Sequence, residues 1–305
     1  MEFGLALSGG GARGAAHAGV LRALKEEGLT PSFVAGTSAG AMVGALFAAG
    51  YAPEEIEGIF IENAQRVLDY NFRDFCSMIW GLATKTRVTF DGLIRGERLG
   101  RIFKGLLKEK GVVSIRDVRV PLAVTAVDIN SGRLVMFVSR LPQALPGDKT
   151  VYIDDAELWR AVRASTAVPA VFKPETVAGM RLVDGGVRDN VPAAILRRMG
   201  AKKVLAVNLG YAGQQKKEVD NILEIMFQSI DVMSFRISET TAADADYVLL
   251  PGIFDVSLLE VDKIPETVRR GYEACMLQMP SIRRALETKT APPPDSVCAV
   301  PCMKP

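Results

Sequence analysis

Short apolar runs alternate with amphipathic stretches along the start of this chain. EFGLALS (2–8) is an apolar run with strand character. GGGARG (9–14) reads as a turn. In AAHAGVLRALKEEG (15–28) apolar residues recur at helical spacing, and Gly28 is a stop signal. PSFVAGT (31–37) reads as a short buried strand, followed by a small-residue helix from Ser38. Strands that are apolar on both faces must be covered on both faces. The alternation therefore predicts an α/β fold around a mainly parallel sheet.

The same reading carries through the rest of the chain. Residues 54–110 are expected to be mostly helical, with a looser section at 70–96. VPLAVTAVDINSGRLVMFVS (120–139) predicts two strands joined at DINSG. A helix is expected over 155–165, and a hairpin ending in a glycine turn over 177–186. AAILRRMGAKKVLAVNLG (193–210) reads as helix, turn, strand. A helix is expected at about 218–238, a strand at 247–250 and a last helix at about 266–288. No internal repeat or linker divides residues 1–290, which are expected to form one domain. The proline-rich tail, 291–305, is expected to be disordered.

Composition narrows the function classes. The chain has 305 residues, 49% of them hydrophobic, enough for a sizeable core. Net charge is +2, so there is no electrostatic case for nucleic acid. The opening MEFGLALSGGG lacks the pattern of a signal peptide. The longest apolar run, 39–51, is short for a membrane span and carries three glycines. Cysteines at 76, 275, 298 and 302 form no dense framework and offer too few partners for zinc, so no metal site is expected. The expected location is the cytoplasm.

Candidate chemistry sits in GTSAG. Gly36-x-Ser38-x-Gly40, between a strand and a helix, is the context of a nucleophile elbow. Side chains at 36 and 40 would crowd a sharp turn. The other reading of Ser38 is a plain helix cap. SGGGARG admits three readings. Parsed as Gly9-x-Gly11-x-x-Gly14 it is a dinucleotide fingerprint, but the next strand ends without the acid that would hold a ribose. It also suits an oxyanion hole, whose backbone N–H donors must approach a developing negative charge closely. The third reading is a structural turn. Arg13 inside the loop could hold a phosphate head group or pin the loop to a carboxylate.

A serine nucleophile needs a base. His17 is the sole histidine and falls in the first turn of the helix from Ala15, which reads as a packed helix position. A triad through it stays an alternative. The other candidate is Asp184, at the end of an apolar strand and before Gly185 and Gly186. An aspartate is a weak base in water, and desolvation raises its pKa toward neutral-pH chemistry. Asp184-Gly185 could equally be an ordinary hairpin turn. Asp189 and Asn190 read as caps for a helix with Pro192 in its first turn.

Taken together, GGGARG (9–14), GTSAG (36–40), RASTAVPAVFKP (163–174) and DGG (184–186), in that order, resemble the patatin-like phospholipase family. VDINSG (127–132) also resembles it, and the likeness spans roughly 3–290. The resemblance implies a three-layer α/β/α fold and a Ser–Asp dyad, with Ser38 as nucleophile and Asp184 as general base. It implies oxyanion donors from the loop Gly9, Gly10, Gly11, Ala12 and Arg13, above all Gly10, Gly11 and Ala12, with help from the N–H of Ala39. Gly36, Gly40, Gly185 and Gly186 are then the elbow and turn glycines, and RASTAVPAVF a loop packed under the site. The implied activity is hydrolysis of a phospholipid or other fatty-acyl ester without a cofactor. An acyltransferase and a non-catalytic regulatory protein are the alternatives. NFRDFCSMIWGLATKTRV (71–88) reads either as a lid or patch touching a membrane surface, which would place the protein peripherally at the inner face, or as a helix buried against the core.

Overall fold

The computed structural model describes residues 2–63, 94–143, 147–210, 222–257 and 260–288. The segment 71–88, read as a lid or as a buried helix, lies outside the described residues, as do Cys298, Cys302 and the tail.

The apolar runs at the N-terminus become β1 (Gly4–Leu7), α1 (Ala16–Glu26), β2 (Phe33–Gly36) and α2 (Ala39–Ala49). Two amphipathic helices come next, α3 (Pro53–Asn63) and α4 (Glu97–Glu109). The predicted strand pair is β3 (Leu122–Asp128) and β4 (Arg133–Val138). Then come β5 (Val151–Ile153), which the pattern does not foretell, α5 (Leu158–Ser165), and the hairpin β6 (Glu175–Val177) and β7 (Met180–Asp184). The remaining elements are α6 (Ala193–Arg198), β8 (Val204–Val207), α7 (Ile222–Thr241), β9 (Tyr247–Leu249) and α8 (Ile264–Glu287).

The strands form one mixed sheet, mostly parallel, in the order β5-β4-β3-β2-β1-β8-β9, with β7 also on β3 and β6 on β7. Side chains of the central strands alternate between two buried faces. Leu5, Leu7, Val34, Leu122 and Val124 point to one face, packed with α1, α2 and α8. Ala6, Ala35 and Ala123 point to the other, where Ile195 and Leu196 of α6 sit close. Helices thus cover both sides of the sheet, the α/β/α arrangement. The polar–apolar alternation of a half-exposed strand is missing because the difference between faces is one of size.

The central strand β3 brings two distant strand ends together. Its first half pairs in parallel with β2, ending at Gly36 opposite Val124. Its second half pairs antiparallel with β7, ending at Asp184 opposite Ala126. Two strands therefore meet tip to tip along one side of β3, a two-residue step or about 6.6 Å apart. The hairpin turns at Ala178 and Gly179, both at positive φ, so Asp184 is a strand end and not a hairpin turn.

Candidate active site

Ser38 sits just past the tip of β2 and caps α2, with φ 53° and ψ −120°. That backbone is costly for any residue with a Cβ and persists only when its surroundings impose it. They do so here by contact. A Cβ on Gly36 would strike the Gly40 carbonyl, and one on Gly40 would strike the carbonyls of Leu7 and Ser8. Thr37 is fully buried; its hydroxyl donates to the Asp189 carbonyl at 2.9 Å and pairs with the Thr125 hydroxyl at 2.7 Å. The Ser38 N–H donates to Oγ of Ser165 at 2.9 Å.

Asp184 is brought to Ser38 by the register on β3. Its N–H donates to the Ala167 carbonyl at 2.9 Å, and its Oδ1 accepts from the Gly186 N–H at 2.8 Å. Gly185 lies so close to Thr125 that a Cβ there would meet its hydroxyl. Burial pushes the Asp184 carboxyl up to about 6, against hydrogen bonds from the Ser38 hydroxyl and the Gly186 N–H that favour the charged form. At neutral pH the carboxylate is mostly ionised, yet far more basic than an aspartate in water.

His17 is elsewhere. It is fully buried, and its Nε2–H donates to the Ser8 carbonyl at 2.8 Å. Burial lowers its pKa to about 4, the bond to Ser8 acting in the opposite direction, so the ring is neutral at pH 7. It braces the strand that leads into the glycine loop.

In that loop Gly11 takes φ 57° and a 3-10 turn runs from Gly11 to Ala15. Two of the expected oxyanion donors are otherwise engaged. The Gly9 N–H donates to Asn190 Oδ1 at 3.1 Å, and the Arg13 N–H donates to the Gly10 carbonyl at 3.2 Å. The N–H groups of Gly10, Gly11, Ala12 and Ala39 have no acceptor among the described residues, and all four residues line one cavity with Ser38 and Asp184. Of the two roles open to the Arg13 side chain, the pinning one is what the geometry holds. It is 1% exposed, donates from Nη2 to both carboxylate oxygens of Asp231 at 2.7 and 2.8 Å, and from Nη1 to the Leu209 carbonyl at 3.2 Å.

The capping role expected of Asp189 and Asn190 is corrected. Pro192 occupies the N-cap position of α6, with no side-chain cap. Asn190 instead turns inward, accepting from Gly9 and donating to the Ser238 hydroxyl at 2.8 Å, so that it ties the loop to α7. Asp189 is buried too, and burial with the nearby Asp244 charge pushes its carboxyl up to about 7. Thr37, Thr125, Ser165 and Asn190 all carry contacts that sequence reasoning did not assign. The signal for the two threonines is a hydroxyl inside an otherwise apolar run, since a buried polar group needs a partner.

The cavity in front of Ser38 measures about 420 Å³, within the range of small-ligand pockets. Its walls are mainly apolar: Met42, Ile59 and Phe60, then Leu99, Ile102, Phe103 and Leu106 of α4, Val168 and Phe172, and Ile230, Met233 and Ile237 of α7. Among the described residues no cluster of His, Cys, Asp and Glu could hold a metal ion, and no helix is long and apolar enough to cross a membrane.

A sequence profile of patatin-like phospholipases matches residues 5–197. The chain is 30% identical over 294 residues to the lysophospholipase NTE1 of Meyerozyma guilliermondii, covering 88% of this chain but 18% of that protein. It is 29% identical over 273 residues to the uncharacterized protein YqhO of Bacillus subtilis, covering 85% of this chain and 88% of that one. In three dimensions it is similar to VipD from Legionella pneumophila, with a TM-score of 0.50 at 16% identity over 92% of this chain and 67% of that one, a likeness of fold.

Proposed function

The chain belongs to the patatin-like phospholipase family, and from that premise we propose that it is a serine lipid acyl hydrolase of phospholipase A, lysophospholipase or carboxylesterase type. Ser38 is the nucleophile and Asp184 the general base. The Asp184 carboxylate takes the Ser38 proton as Oγ attacks the ester carbonyl. The oxygen that gains charge is held by the N–H groups of Gly10, Gly11 and Ala12, with that of Ala39 at the start of α2. Donors of this kind are worth roughly 100- to 1000-fold each in rate. Collapse of the tetrahedral intermediate passes the proton from Asp184 to the leaving alcohol and leaves an acyl-enzyme. Asp184 then deprotonates a water, which releases the fatty acid. Aspartate carries each proton, and no metal or cofactor is invoked.

The observation that carries the reading is the pairing of a strained, buried serine with a carboxyl raised to about 6, both on the wall of an apolar cavity. Gly9 and Arg13 act in this account through the shape of the loop and not as donors, since their amides are already bonded. The apolar walls suit a fatty-acyl chain. The expected cytoplasmic placement belongs to the same proposal. The test is a defined panel of phospholipids, lysophospholipids and simple esters incubated with the parent and with Ser38→Ala, products read by mass spectrometry. Fatty acid released by the parent alone supports the reading, and equal release by both sinks it. An added alcohol acceptor in the same panel separates hydrolysis from acyl transfer.

A further inference from the structure

We propose that Ser165–Ala167, the last residue of α5 and the two after it, form a strap that holds nucleophile and base at one separation, with Ser165 a positioning residue. The proposal rests on the Ser38–Asp184 reading. The motif RASTAVPAVF touches both partners within three residues. Oγ of Ser165 accepts from the Ser38 N–H at 2.9 Å, and the Ala167 carbonyl accepts from the Asp184 N–H at 2.9 Å. Ser165 and Ala167 are both 0% exposed. Ser165 is absent from the cavity wall, so it meets the nucleophile from behind and not through the substrate.

The strap is itself anchored. The Thr166 N–H donates to the Val162 carbonyl at 3.0 Å, and the Thr166 hydroxyl donates to the Arg163 carbonyl at 3.2 Å. The buried Arg163 guanidinium donates to the carbonyls of Arg95 at 2.7 Å and Lys173 at 2.6 Å, fixing the end of α5 between two other segments.

The need for such a strap arises from the elbow. Ser38 holds φ 53°, where a residue with a side chain gains by relaxing. Relaxation rotates the peptide before Ser38 and swings Oγ away from Asp184. Ser165 opposes that rotation by binding the one amide it would move. A misplacement on the order of 1 Å in a reacting group costs about 100-fold in rate. Ser165 thus acts on the chemical step and not on substrate binding.

The experiment measures kcat and KM for a soluble p-nitrophenyl ester with the parent, Ser165→Ala, Ser165→Thr and Ser38→Ala. Rates are normalised to the folded fraction by circular dichroism. Ser165→Ala is expected to lose on the order of 10- to 100-fold in kcat with KM near the parent's. The rate of labelling by a fluorophosphonate should fall by a similar factor. Ser165→Thr keeps an acceptor oxygen and should recover most of kcat. Unchanged kcat in Ser165→Ala, an equal loss in Ser165→Thr, or a loss that vanishes on correcting for folded protein overturns the strap. If Ser165→Ala does not fold, Ser165→Cys, which keeps the volume and weakens the acceptor, is read by the same criteria. Full activity in Ser38→Ala would instead remove the hydrolase reading on which the strap depends. An inactive Ser38→Ala beside an unimpaired Ser165→Ala removes the strap alone.

Discussion

Ser38 and Asp184 leave two differently built regions of one sheet. Ser38 leaves the parallel region, where β2 lies between β1 and β3 and the turn is tight, Gly36 packed on Gly40 and Gly40 on the carbonyls at the end of β1. Asp184 leaves the antiparallel region, where β7 has its place only because β3 outruns β2 and offers a free flank. Around Asp184 the partners come from afar: Thr125 on β3, Ala167 after α5, and the hydroxyl of Ser38 itself. The turn at Ser38 follows from the order of strand, glycines and helix, whereas the place of Asp184 is set by strand pairing.

The most forceful way to break this comparison is to remove each partner in turn. Ser38→Ala should lower kcat by about 10⁴-fold or more, and Asp184→Asn by about 10³- to 10⁴-fold, with both chains folded. Steady-state hydrolysis with circular dichroism checks both. Should the asparagine chain keep most of its activity, the antiparallel region supplies no base.

The two turns should also differ in tolerance. A methyl on Gly40 meets only backbone, the carbonyls of Leu7 and Ser8, whereas one on Gly185 meets the Thr125 hydroxyl and Cβ first and the Thr125 backbone at 2.8 Å. Overpacking of this kind costs about 1–3 kcal/mol or more. Gly40→Ala is expected at or beyond the top of that range, and Gly185→Ala within it, by urea unfolding. The reverse order would mean that the antiparallel tip is the more rigid.

A smaller effect comes from Asp189, which faces Asp244 in the antiparallel region's turn. Its carboxyl keeps a proton to about 7 in the folded chain, against about 4 when unfolded. Between those values the folded state binds more protons, so stability falls as pH rises and the loss is complete above about 7. Asp189→Asn should therefore stabilise the chain relative to the parent at pH 8 and not at pH 4, read from urea midpoints at the two pH values. The smallest effect is expected in the parallel region. His17→Gln keeps a donor for the Ser8 carbonyl, so kcat should stay close to the parent's; a loss as large as that of Asp184→Asn would point to a histidine base.

The contrast also explains what was legible in the sequence. Strand, glycine turn and helix around Ser38 are local, so GTSAG announced the sharp turn and the order of elements, and the reading of His17 as a packed helix residue agrees with its buried bond to Ser8. DGG could not show whether Asp184 ended a strand or made a turn, because the answer lies in its pairing with Ala126. Asp189 and Asn190 looked like helix caps for the same reason. Polar residues before a helix are usually caps, and only the packing of the glycine loop against them turns Asn190 inward. β5, three residues long, carries too little pattern to be seen without its partner β4.

The rate of fluorophosphonate labelling as a function of pH, with the modified residue located by mass spectrometry, tests the central claim most directly. The label is expected on Ser38, with a rate that rises as pH passes through about 6 and then levels off, as deprotonation of Asp184 requires. That rise should be absent from Asp184→Asn. A label on another serine, or the same rise in the asparagine variant, would contradict the account.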